Sequence, residues 1–193
     1  MPQPVSAVAF FAVILVAFAC WLFSVVEAIG IWRFWSWAYR AGPRILQRAL
    51  PKPISAFPGG AEWNTPDVKA RALDGQCILF RCPMPVFAFR IHTPFPILGT
   101  ATVESDELRV CSRIPLGPTG FLVAWALGWT IGGVAAGATS PFTGLEVAAV
   151  GWVLAAGFAA FSISLELMRF RRAQDALASL LGVSPPNNRW RGP

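Results

Sequence analysis

The chain of 193 residues is 55% hydrophobic and only 13% charged, about half the charge fraction of an ordinary soluble domain. That composition argues against an intrinsically disordered chain and against a conventional cytosolic enzyme. The deficit is concentrated in three nearly charge-free stretches, while the net charge of +6 comes from two basic segments.

The first stretch, residues 5–31, carries one charge, Glu27, near its end. As a helix it rises roughly 40 Å, more than the roughly 30 Å of hydrocarbon in a bilayer. Residues 1–31 therefore read as a first transmembrane helix. The stretch has no basic leader and is too long for the core of a signal peptide.

Residues 32–65 read as an interfacial connector rich in arginine and tryptophan. Trp32, Trp35, Trp37 and Tyr39 sit where aromatic rings with one polar edge settle at a membrane boundary. Arg33, Arg40, Arg44 and Arg48 follow at spacings of seven, four and four, which predicts one cationic helical face. These seven Trp and Arg residues are the expected contacts with anionic lipid. Gly42-Pro43 predicts a break, and the prolines at 51, 53 and 58 with Gly59-Gly60 predict an extended linker.

Residues 66–118 turn strand-like. Strands are expected over 69–73, 76–82, 86–92, 98–104 and 107–114, with Asp74-Gly75 as a hairpin turn. The resulting antiparallel sheet has a marginal core by itself. It is expected to rest on the membrane, on the chain's own helices or on another protein.

Residues 119–138 and 145–168 are the second and third expected spans. In the second, Gly120, Ala124, Gly128, Gly132 and Ala136 recur every four residues, and Gly151, Ala155 and Ala159 answer in the third. Small residues let backbones approach in lipid. The row predicts first a packed hairpin of these two spans, then a docking face for a foreign helix. Residues 169–193 form a cytoplasmic tail that begins as an amphipathic helix over 173–181 and ends in SPPNNRWRGP, which lacks the apolar content to order itself.

Of the sixteen Lys and Arg residues, eleven lie between Arg33 and Arg113 and five between Arg169 and Arg191. By the positive-inside rule both segments face the cytoplasm and the N-terminus faces outward. The fold class expected is an integral membrane α-helical protein with three transmembrane helices and a small antiparallel β-sheet domain inserted between helices 1 and 2. The localisation expected is a bacterial inner membrane. Attraction to anionic lipid accounts for the basic excess without nucleic acid.

Chemistry-bearing motifs are sparse. Glu27 and Glu166 read as boundary carboxylates paired with arginine, Arg169 at i+3 being the partner for Glu166. A proton or ion pathway is the competing reading. Cys77 and Cys82 have opposite strand parity, no CxxC occurs, and the lone histidine, His92, lies outside the spans. No catalytic residues, metal site or cofactor are assigned. The function expected is a non-catalytic accessory subunit of a multisubunit membrane complex, energy-transducing in the photosynthetic or respiratory sense. Its partners would be other membrane subunits, with peripheral contact to a pigment or quinone held by a neighbour. A small transporter-like homo-oligomer and a membrane-anchored peptide- or lipid-binding module are the alternatives.

Overall fold

A computed structural model describes residues 4–51, 53, 57–83, 95–105, 107–137 and 141–183. The fold is mixed α/β. Two helical stretches, Phe11–Trp32 and Gly144–Leu180, are long and apolar enough to cross a membrane. The chain divides into two compact units, Met1–Ile29 with Leu116–Ile163 and Gly30–Pro115 with Ser164–Pro193.

The first unit is helical. It contains most of α1 (Pro4–Trp32), all of α3 (Leu116–Gly137) and the first part of α4 (Pro141–Leu180). On α1, Val8, Phe11, Leu15, Phe18 and Trp21 are all more than half exposed. α3 opens with Pro118 in its first turn, where the missing N–H would have no intrahelical partner anyway. α3 carries no Asp, Glu, Lys or Arg along its length.

The second unit is a sheet with helix on both faces. β1 (Arg44–Pro51), β2 (Glu62–Asn64), β3 (Lys69–Ala72), β4 (Cys77–Arg81), β5 (Leu98–Glu104) and β6 (Glu107–Arg113) form one antiparallel sheet in the order β1-β6-β5-β4-β3-β2. The expected strands over 69–73, 76–82, 98–104 and 107–114 correspond to β3 to β6; the one over 86–92 lies outside the described residues. At the β3–β4 turn the Asp74 carboxylate accepts from the N–H groups of Gln76 and Cys77 at 2.8 and 2.7 Å, the local trap that makes Asp favourable there.

One face of the sheet, with Ile78, Phe80, Ala101, Leu108 and Val110, packs on Phe170, Ala173, Leu177 and Leu181 of α4. The Phe80 and Phe170 rings stack 5.2 Å apart. The other face, with Cys77, Leu79 and Leu98, packs on Ile31, Ala38 and Tyr39. β4 is thus buried along its whole length, which explains why Cys77–Phe80 read as an unbroken apolar run rather than an alternation. Phe80 also covers Gly99, its partner on β5, so closely that any side chain there would collide with the ring.

Two expectations are corrected. Arg40, Arg44 and Arg48 do not share a helix face. α2 (Ser36–Arg40) is short, Gly42 at φ 89 reverses the chain, and Arg44 and Arg48 lie on β1, hydrogen-bonded to β6. That partner arrives from the far end of the domain and overrides the helix-forming character of RILQRAL. Likewise the third expected span and the amphipathic tail helix are one helix of 40 residues, α4. Residues 184–193 lie outside the described residues.

Candidate functional site

The most distinctive local structure is where α1 ends. The Trp35 N–H donates to Gly30 O at 2.8 Å and the Phe34 N–H to Ile31 O at 3.3 Å, the pair of bonds that defines a Schellman C-cap. The residue at its left-handed position is Phe34, at φ 56. Glycine is usual there, because a side chain in that region collides with its own carbonyl. The second Schellman signature, packing of the residue after the cap on the last turn, is also met. Gly30 leaves a seat onto which Trp35, Trp37 and Ala38 close.

What holds Phe34 in this conformation is its ring. It stacks on Tyr39 at 5.7 Å, nearly parallel, and the Arg81 guanidinium sits 5.3 Å from its centroid. Tyr39 is fully buried and its hydroxyl donates to Ile31 O at 3.2 Å. Burial pushes the phenol well above its ordinary range, against the opposing pull of Arg81, so Tyr39 remains a donor. Arg81 is 2% exposed. Its Nη1 donates to Cys82 O at 3.5 Å, its Nε has no acceptor, and no carboxylate lies within 4.0 Å of it among the described residues.

In front of Phe34 opens a cleft of about 640 Å³ lined by Trp32, Arg33, Phe34, Trp35, Ser36, Glu62, Arg71 and Leu73. Arg71 Nε meets Glu62 at 3.5 Å across the β2–β3 pair. The cleft therefore joins an aromatic wall from the end of α1 to a polar wall from the β2–β3 hairpin. Of the seven residues expected at the lipid boundary, Trp32, Arg33 and Trp35 line it. Trp37 tilts against Trp35 at 6.2 Å, while Arg40 and Arg44 are exposed elsewhere and Arg48 reaches Asp175 at 3.9 Å. Sequence reasoning missed Glu62, Arg71 and Arg81, since only strand pairing brings them to the end of α1.

The small residues of α3 divide between two neighbours. Gly120 lies against Cys20 and Gly128 against Val13, both on α1. Gly117 approaches Ser24 so closely that a Cβ would stand 2.6 Å from its hydroxyl. α4 is met instead by Gly133, tight against Gly144 and Ala148, and by Trp129, which covers Gly151. Trp152 Nε1 donates to Thr130 Oγ1 across the same pair at 2.9 Å. Ala124 and Ala155 are buried and Ala159 is half-buried. Gly132 has nothing near it among the described side chains, and the side chain of Ala136 lies outside them.

Glu27 is not paired with arginine among the described residues. It is fully buried, and its two carboxylate oxygens accept from the N–H groups of Leu116 and Gly117 at 2.9 and 2.8 Å. A carboxylate on the first N–H groups of α3 satisfies orphan donors and the positive end of the helix dipole together. Glu166 does pair with Arg169, at 2.9 Å. Nearby, burial and then the Glu166 charge push the Cys82 thiol up to about 12. Cys77 and Cys82 serve opposite faces of the sheet. No three His, Cys, Asp or Glu side chains converge among the described residues, and His92 lies outside them.

No family model, curated protein or solved structure matches this chain.

Proposed function

We propose that the chain is a non-catalytic accessory subunit of a membrane assembly. α1, α3 and α4 would form three spans, and the sheet unit would face the cytoplasm. The observation that carries this reading is a coincidence of two independent divisions. The helical unit contains no Lys or Arg, and all sixteen fall in the sheet unit. Fixed cations segregate this way when one part of a chain lies in lipid and the other on its cytoplasmic side. Exposed apolar side chains along α1 and α4 call for lipid or a partner helix as their surroundings. The anionic leaflet, neighbouring subunits and an energy-transducing host remain parts of this proposal.

Extraction in mild detergent tests it. The expected result is co-purification in fixed stoichiometry with other membrane proteins; recovery as a lone monomer overturns it. A second reading, the membrane-anchored binding module, is favoured by the core that the sheet completes with Phe170, Leu177 and Leu181 of its own chain. Its folding unit is Gly30–Pro115 together with Ser164–Pro193. A fragment of residues 66–118 omits β1 and the α4 packing face, so it is not a fair sample of that module.

A further inference from the structure

We infer that the cleft at the end of α1 holds the phosphate-bearing headgroup of an anionic phospholipid, with Arg33 and Arg71 at its mouth as the phosphate ligands. The inference rests on the reading of α1 as a span. The apolar stretch Phe11–Trp32 ends at the cleft's first lining residue, which sets the cleft at headgroup depth if α1 crosses the bilayer.

The lining fits an amphipathic anion better than a soluble one. Trp32, Phe34, Trp35 and Leu73 offer an apolar wall, and Arg33, Arg71 and the Ser36 hydroxyl offer donors. Arg71 Nε lies 3.5 Å from Glu62, the one carboxylate in the lining. That exposed contact is weak and does not commit Arg71 to Glu62 when an anion enters.

Arg81 is the second, independent observation. A buried guanidinium without a counter-charge is costly, and none lies within 4.0 Å of it among the described residues. Arg81 therefore adds uncompensated positive charge directly behind Phe34, a wall of the cleft. A lipid phosphate at the mouth would supply the missing negative charge.

The test is lipid retention by the full-length protein. Protein in neutral detergent is titrated with phosphatidylglycerol, phosphatidylcholine or inorganic phosphate and examined by native mass spectrometry. Retention of phosphatidylglycerol over phosphatidylcholine is expected. The Arg33→Gln/Arg71→Gln variant should lose it by at least about fivefold, and the charge-matched Lys69→Gln/Arg172→Gln variant should keep it. Equal loss in both variants, no loss in the first, or displacement of the lipid by millimolar phosphate would each overturn the inference. Sidedness labelling of the same protein separates it from the reading beneath it. A misplaced sheet unit with specific lipid retention intact sinks the topology alone; correct topology without specific retention sinks the lipid site alone.

Discussion

Two helices in this chain close with the same pair of backbone bonds on different residues. At the end of α4, Val183 donates to Ala178 O and Gly182, at φ 67, to Ser179 O. At the end of α1, the left-handed position is held by Phe34. Strain of about 1–2 kcal/mol accepted there is offset by stacking on Tyr39 and the Arg81 contact, worth about 1–2 kcal/mol together. Phe34→Ala keeps the strain and loses the ring, whereas Phe34→Gly loses both. Thermal unfolding in detergent should therefore rank Phe34→Ala below Phe34→Gly by about 1 kcal/mol. The opposite order would show that the left-handed backbone at this position carries no strain that glycine relieves. Glu27 makes a second residue-scale prediction. Glu27→Ala strands two N–H groups at the start of α3 and should cost about 2–4 kcal/mol, while Glu27→Gln keeps one acceptor and costs less. If Glu27→Gln abolished a transport activity while leaving stability unchanged, the transporter reading would replace the capping role. A third concerns Cys82. With its pKa raised from 9.0 to about 12, the folded state favours the protonated thiol. The associated stability is complete below the ordinary thiol pKa and is lost as pH rises across 9 to 12. In a protein retaining only Cys82, alkylation should be slow at pH 8 and rise only at strongly alkaline pH, and Glu166→Gln should move that rise to lower pH.

At the scale of elements, α3 is the central helix of its unit, with α1 on one side and α4 on the other. The regular row of small residues in the sequence pointed to close packing. It did not distinguish which neighbour each position meets: Gly132 and Gly133 are adjacent in the sequence, yet of the two it is Gly133 that packs on α4. Gly133→Leu should disrupt the α3–α4 contact and lower the melting temperature. Gly132→Ala, facing open space among the described side chains, should be neutral or stabilising by up to about 1 kcal/mol. Equal damage from the two would contradict this assignment of faces. The strands β3 to β6 were legible because alternation, proline boundaries and Asp74-Gly75 are local signals. β1 was not: Ser112, whose hydroxyl donates to Leu46 O at 3.0 Å, lies 66 residues further along the chain. The cleft was half legible for the same reason. Its aromatic wall is a run of adjacent residues, but its polar wall depends on the β2–β3 register, and the burial of Arg81 depends on β4 being covered on both faces. α4 was read as two pieces because Arg169, Arg171 and Arg172 interrupt the apolar run. Yet Phe170, Ala173 and Leu177 keep the helical period straight through them.

For the whole molecule, the division into an uncharged-to-acidic helical unit and a cationic sheet unit underlies the proposed function and the lipid site alike. Gln76, exposed in the β3–β4 turn, gives direct access to it. The protein is made cysteine-free and Gln76→Cys is introduced. A membrane-impermeant maleimide is then applied to sealed membrane vesicles of each orientation. Labelling should occur in inside-out vesicles, with protection in right-side-out vesicles until they are opened. Labelling of intact right-side-out vesicles, or recovery of the protein in the salt-washed soluble fraction, would show that the chain does not cross the bilayer with its cations on the inner side.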